Sequence, residues 1–253
     1  MKFVKYEKQG RISIISLCGA AKFNLLTPAL LEELAQAFDD YEKDTDAWIA
    51  ILTSEGPDFC AGIDLKGSDE DGGQGVHLPK TATQNPYFND TYEKPVIAAI
   101  NGYALGAGFF LALKADLRVA TETAVFQISE IKIGLPAGFY PIHSWIIREN
   151  LPYPIQAELL AGLPLPAQRA YEVGFVNRLA EKDKLKESAV SFAEEILSSP
   201  PMAVDYNLKM LRRFRRMNAT VPSEFENQME QWVDECRSSK DFEEAVSAFF
   251  NKS

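Results

Sequence analysis

Two glycine-bearing runs hold the residues best suited to chemistry, Phe59-Cys60-Ala61-Gly62-Ile63-Asp64-Leu65 and Asn101-Gly102-Tyr103-Ala104-Leu105-Gly106-Ala107-Gly108. Each follows an apolar run that reads as a buried strand. The second leads straight into a helix-forming stretch, so its backbone N–H groups stand at a helix N-terminus. There the helix leaves them unpaired and its dipole favours negative charge. Small side chains at such a turn let a substrate oxygen approach the backbone. Either turn alone is as well explained by tight packing. Their joint occurrence, with Glu130 further on in Gln127-Ile128-Ser129-Glu130-Ile131-Lys132-Ile133-Gly134-Leu135-Pro136-Ala137-Gly138, shifts the balance towards a site that binds an oxyanion.

Other chemistry finds little support. The chain has two histidines, His77 and His143. The first falls in a polar loop; the second reads as helical, where a lone histidine is more often packed or solvated than catalytic. No set of His, Cys, Asp or Glu has metal-ligand spacing, and neither a phosphate-binding Gly-Lys-Ser/Thr loop nor a nucleophilic triad is present. Cys18, Cys60 and Cys236 are widely spaced and odd in number, which suits reduced thiols. A net charge of −10 and a pI near 4.9 oppose binding to nucleic acid or to an anionic membrane. The basic cluster Lys209, Arg212, Arg213, Arg215 and Arg216 has helical spacing and reads as a solvated face. No run reaches membrane-spanning length and the N-terminus lacks a signal pattern, so the expectation is a soluble, cytoplasmic protein.

The elements that must position these residues follow from periodicity. Alternation from Lys2 to Leu17 about Gln9-Gly10 predicts a β-hairpin. Thr27-Pro28 predicts a capped helix start, with Leu30, Leu31, Leu34 and Phe38 forming one apolar stripe. Trp48–Thr53, Val96–Asn101 and Leu117–Ala120 read as buried strands, and Gly108–Lys114 as a short helix, which together indicate layered α/β structure. Residues 66–84 read as a mobile surface loop. Beyond Pro200 only helical patterns remain, over Met202–Arg216, Ser223–Cys236 and Asp241–Asn251. The expected division is therefore a core of residues 1–199 and a helical region of 200–253. The tail has more apolar residues than one exposed layer needs, so it is expected to pack on the body or on a neighbouring subunit.

The runs FCAGIDL (59–65), KPVIAAINGYALGAG (94–108), ADLRVAT (115–121) and SEIKIGLPAG (129–138) resemble the crotonase superfamily of enoyl-CoA hydratases and isomerases, across nearly the whole chain. The resemblance implies an α/β spiral of ββα turns with a C-terminal helical trimerisation region. It also implies an acyl-CoA thioester as substrate, no cofactor beyond that coenzyme A, and a homotrimer or dimer of trimers. It assigns the oxyanion hole to the backbone N–H groups of Ile63 and Ala107, and acid/base chemistry to Glu130. It lines the substrate site with Lys22, Asn24, Leu26, Ala61, Gly62, Asp64, Leu65, Tyr103, Leu105, Gly106, Phe110 and Tyr140.

Two departures matter. A typical hydratase of this family has a second glutamate where this chain has Phe110, so one carboxylate is left to move protons. One-glutamate relatives include enoyl-CoA isomerases and hydratase-lyases, and isomerisation is accordingly the first expectation. Hydration, hydration with lysis, hydrolysis of a non-CoA diketone, and a silent acyl-CoA-binding subunit are the alternatives. Gly19-Ala20 also replaces the usual basic residue and proline ahead of the segment that contacts coenzyme A. For Glu130 the plain alternative is a structural ion pair, with Lys132 or Arg118 as partner.

Overall fold

The computed structural model describes residues 1–19, 23–64, 87, 92–136, 151–218 and 223–251. Strands β1 (Val4–Gln9) and β2 (Ile12–Leu17) form the expected hairpin. Helix α1 (Pro28–Lys43) starts as its sequence dictates: Thr27 Oγ1 accepts the N–H of Leu30 at 3.2 Å, and Pro28 occupies the first turn. It buries Leu30, Leu31, Leu34, Ala37, Phe38 and Tyr41.

Strands β3 (Ile49–Ser54), β4 (Val96–Ile100), β6 (Leu117–Thr121) and β9 (Arg178–Ala180) extend the sheet in the order β1-β2-β3-β4-β6-β9. All pairings after the hairpin are parallel. Parallel strands need both faces covered. Ile12, Ile14, Ile49, Ile51, Ile97, Ala99 and Val119 pack on one face against Leu185, Ala189 and Ala193 of α5 (Leu185–Leu197). β4 is five apolar residues, all buried, as a strand covered on both sides requires.

Three short strands, β5 (Tyr103–Leu105), β7 (Val125–Gln127) and β8 (Leu165–Pro166), make a second small sheet. Helix α2 (Ala107–Lys114) follows β5; α3 (Tyr153–Leu160) and α4 (Ala167–Glu172) come later. The tail forms α6 (Pro201–Asn218), α7 (Ser223–Arg237) and α8 (Lys240–Asn251), close to the predicted boundaries. Among the described residues no helix is long and apolar enough to cross a membrane.

The chain divides into two compact units. One compact unit comprises Met1–Phe126 and Pro166–Leu211, the other Gln127–Leu165 and Arg212–Ser253. Helix α6 runs unbroken from Pro201 to Asn218, across the point after Leu211 where the two units divide. Residues 127–165 group with 212–253, and none of their described residues joins the six-stranded sheet. The basic cluster is not uniformly solvated either, because Arg212 is buried. Met202, Tyr206, Met210, Phe214 and Met217, three or four residues apart on α6, are all exposed.

Candidate active site

The two glycine turns lie in the first unit and are joined by backbone hydrogen bonds. Phe59 N–H donates to Asn101 O at 2.7 Å, Cys60 N–H to Tyr103 O at 2.9 Å, and Leu105 N–H to Cys60 O at 2.9 Å. On its other edge the first turn pairs with the segment before α1. Leu26 N–H donates to Gly62 O at 2.8 Å and Asp64 N–H to Leu26 O at 3.2 Å. In this parallel bridge Leu26 sits opposite Ile63, so the N–H of Ile63 itself points away from Leu26.

Ala107 is the first residue of α2, with Gly106 as its N-cap, so its N–H cannot be satisfied within the helix. Among the described residues neither the Ile63 nor the Ala107 N–H has an acceptor. Gly62 brings them together: a Cβ there would lie 3.1 Å from Leu105 O and 3.6 Å from Ala107 N, and φ is +98°. Gly108 is equally constrained, since a Cβ would fall 2.1 Å from Cys60 O. Two unpaired donors at adjoining turns form a cradle for a developing oxyanion.

Side chains pin this cradle. Asn24, buried and with φ of +48°, accepts from Gly19 N–H at 2.9 Å and donates to Glu55 O at 3.0 Å and Asp58 O at 2.9 Å. Its amide is thus engaged in holding loops. Asp58 Oδ1 accepts the N–H of Tyr103 at 3.0 Å. Asn101 accepts from Ser54 Oγ at 2.7 Å and donates to Gly56 O at 2.7 Å. Sequence reasoning did not single out Asp58 or the side chain of Asn101. The available signal was an Asp or Asn beside glycine-rich turns, where short polar side chains substitute for backbone partners. Buried Arg118 steadies α2 from its far end, donating from Nη1 to the carbonyls of Ala112, Leu113 and Ala115.

The other expected residues of this unit are distributed as follows. Ala61 donates its N–H to Phe23 O at 3.0 Å, Leu26 is buried, and Tyr103 is 46% exposed. Phe110 is 7% exposed with the Lys114 ammonium 4.7 Å from its ring centre, while Phe109 belongs to a core cluster with Phe126 and Phe175. Cys60 is fully enclosed and burial pushes its thiol up to about 12, so it is no nucleophile at neutral pH. Lys22, Leu65, His77, Tyr140 and His143 lie outside the described residues, as does most of the loop read at 66–84.

Glu130 lies in the second unit, in a 3₁₀ turn (Ser129–Ile133) that ends at Gly134. The turn places Glu130 Oε2 out of solvent, where it has no hydrogen-bond partner among the described residues. Desolvation raises the carboxyl to about 7, and the residue's own backbone N–H opposes that only partly. The ion pair considered from sequence is therefore not what holds this oxygen. An unpartnered buried carboxylate is costly, and in native proteins it marks a strained or working group.

Comparison with known proteins gives a consistent result. The family model described as enoyl-CoA hydratase/isomerase matches residues 7–253. A probable peroxisomal enoyl-CoA hydratase of Arabidopsis thaliana is 33% identical over 76% of this chain and 72% of its own length. A putative enoyl-CoA hydratase of Thermus thermophilus is 31% identical over 98% of both chains. Among solved structures, a carnitinyl-CoA hydratase from Mycobacterium avium superposes with a TM-score of 0.80 at 28% identity, covering 100% of this chain and 97% of the other.

Proposed function

Because the chain belongs to the enoyl-CoA hydratase/isomerase family of crotonase-fold enzymes, we propose that it adds water reversibly to the double bond of a 2-enoyl-CoA thioester, with Glu130 as its acid/base group. The observation that carries this reading is the Glu130 carboxyl itself, with Oε2 out of solvent and unpartnered among the described residues, and its pKa raised to about 7 by desolvation. A group poised near neutrality both accepts and returns a proton at useful rates.

In the proposed reaction the thioester oxygen accepts from the Ile63 and Ala107 N–H groups. Glu130 takes a proton from water as its oxygen bonds to C3, and the π electrons move towards the carbonyl to give an enolate. Glu130 then delivers the proton to C2 as the enolate collapses, so H and OH are added and the carboxylate is regenerated. One such backbone donor is worth about 10²–10³ in rate, and one positioned carboxylate about 10²–10⁴. The hydratase names of the relatives support hydration over the isomerisation first expected from sequence.

Isomerisation stays as the second reading on a specific observation: Phe110, buried and apolar, stands where the family's second glutamate would help hold water. In that reaction Glu130 carries a proton from C2 of a 3-enoyl thioester to C4. We further infer a homotrimer or dimer of trimers, supported by the exposed stripe from Met202 to Met217, which self-association would cover.

Mass spectrometry of 2-enoyl and 3-enoyl CoA thioesters incubated in D₂O tests the reading. Hydration predicts water added to the 2-enoyl substrate with deuterium at C2, abolished in Glu130→Gln. Isomerised 3-enoyl thioester without hydration would favour the second reading. Neither hydration of the 2-enoyl substrate nor conversion of the 3-enoyl substrate to its 2-enoyl isomer would reject both. Native mass spectrometry checks the assembly, and a monomer would reject it.

A further inference from the structure

Within the first unit, each of the two oxyanion donors is tied to the head of a helix. Ala107 opens α2, and Ile63 faces Leu26, just ahead of Pro28, where α1 begins. The separation of the donors therefore follows how α1 and α2 are held against each other.

The last four carbonyls of a helix have no partner within it. In α2 all four accept from side chains: Leu111 O from the Tyr87 hydroxyl at 2.5 Å, Ala112 O and Leu113 O from Arg118 Nη1, each at 3.2 Å, and Lys114 O from the Tyr92 hydroxyl. Tyr87 does more than cap. Its ring lies flat on Phe38 of α1, with centroids 4.0 Å apart and planes 6° from parallel, and Tyr92 tilts against it at 5.2 Å. Phe38, Tyr87 and Leu111 are all fully out of solvent, so water competes with neither the stack nor the hydrogen bond. One side chain thus grips α1 by its ring and α2 by its hydroxyl. Oxyanion donors act best when they are fixed before charge develops, and a misplacement of about 1 Å can cost about 10² in rate.

We propose that Tyr87 is a positioning residue of the oxyanion cradle, a strut between α1 and α2 that fixes the Ala107 N–H against the Ile63 N–H. This role rests on the cradle binding a thioester oxygen as read above, and it is the same for hydration and isomerisation, since both develop charge there.

Carbon-13 NMR of butanoyl-CoA labelled at the thioester carbonyl tests this, because a saturated thioester can occupy the cradle without reacting and its carbonyl carbon is deshielded as the oxygen accepts hydrogen bonds. Saturating wild-type protein is expected to move the resonance downfield. Tyr87→Phe keeps the ring and removes only the bond to Leu111 O. It should shrink that displacement and lower kcat/KM by up to about 10²-fold. Tyr6→Phe, which removes a hydroxyl bonded to Ser13 Oγ at 2.8 Å, outside the strut, should change neither. If Tyr87→Phe does not fold, Phe38→Leu decides: it removes the stacked ring, keeps the tyrosine hydroxyl, and should shrink the displacement likewise. No displacement with the wild type would overturn the cradle and this role together. A wild-type displacement retained in the deciding variant, or lost equally in Tyr6→Phe, would overturn the role of Tyr87 alone.

Discussion

The cradle and the Glu130 turn solve opposite problems. Around Ile63 and Ala107 the side chains of Asn24, Asp58 and Asn101 pair with backbone groups, so the donors that stay unpaired are those able to meet a substrate oxygen. Around Glu130 a carboxylate is held dry and incompletely bonded. Oxyanion binding needs fixed dipoles that do not reorganise, which a dense hydrogen-bond net supplies. Proton transfer needs an affinity near the working pH, which for a carboxyl means being denied water.

This contrast is most directly broken at Glu130. Glu130→Gln keeps the shape but cannot cycle a proton, so kcat/KM should fall by about 10²–10⁴ or more. A loss smaller than tenfold in steady-state kinetics would remove Glu130 from the reaction. For the wild type, the step in which Glu130 acts as base should gain rate as pH rises through about 7, and a pH–rate profile reads this.

Ala107→Pro attacks the cradle instead. Proline is tolerated at the first helical position, so it deletes one donor while α2 is retained. The expected loss in kcat/KM is at least about 10²–10³, because the ring carbon that replaces the hydrogen also takes the place of the thioester oxygen. A loss smaller than tenfold in steady-state kinetics would remove the Ala107 N–H from the site.

Stability separates the two regions further. The folded Glu130 carboxyl binds its proton more tightly than an unfolded glutamate, so between about pH 4.5 and 7 the folded state holds more protons and loses stability as pH rises. Glu130→Gln should remove that loss, becoming more stable than wild type above pH 7 by up to about 3 kcal/mol, with no such gain at pH 4. Urea titrations at pH 4 and 8 measure it. Asn24→Ala strands three partners of the buried amide and should destabilise by about 2–3 kcal/mol at both pH values. A pH-dependent loss there would contradict a purely hydrogen-bonded role.

Much of the fold was legible because its signals are local. The Gln9-Gly10 turn, the Thr27-Pro28 start of α1 and the apolar period of the tail helices each depend on neighbouring residues alone. The glycine turns could likewise be read as donor-bearing from their place between strand and helix. The engagement of Asn24 with Gly19, Glu55 and Asp58 could not, because those partners are up to 34 residues away.

By itself the sequence determined the N-terminal hairpin, three of the buried strands, the helices at 28–43 and 107–114, the tail helices, and the residue types able to stabilise an oxyanion and move a proton. Only the tertiary structure decided that Gly62 must lack a side chain against Leu105 and Ala107, that residues 127–165 group with 212–253, and that desolvation raises Glu130 to about 7. Backbone conformation is set largely by near neighbours. Close approach and desolvation depend on which distant segments exclude water from a given atom, and only the folded chain brings those together.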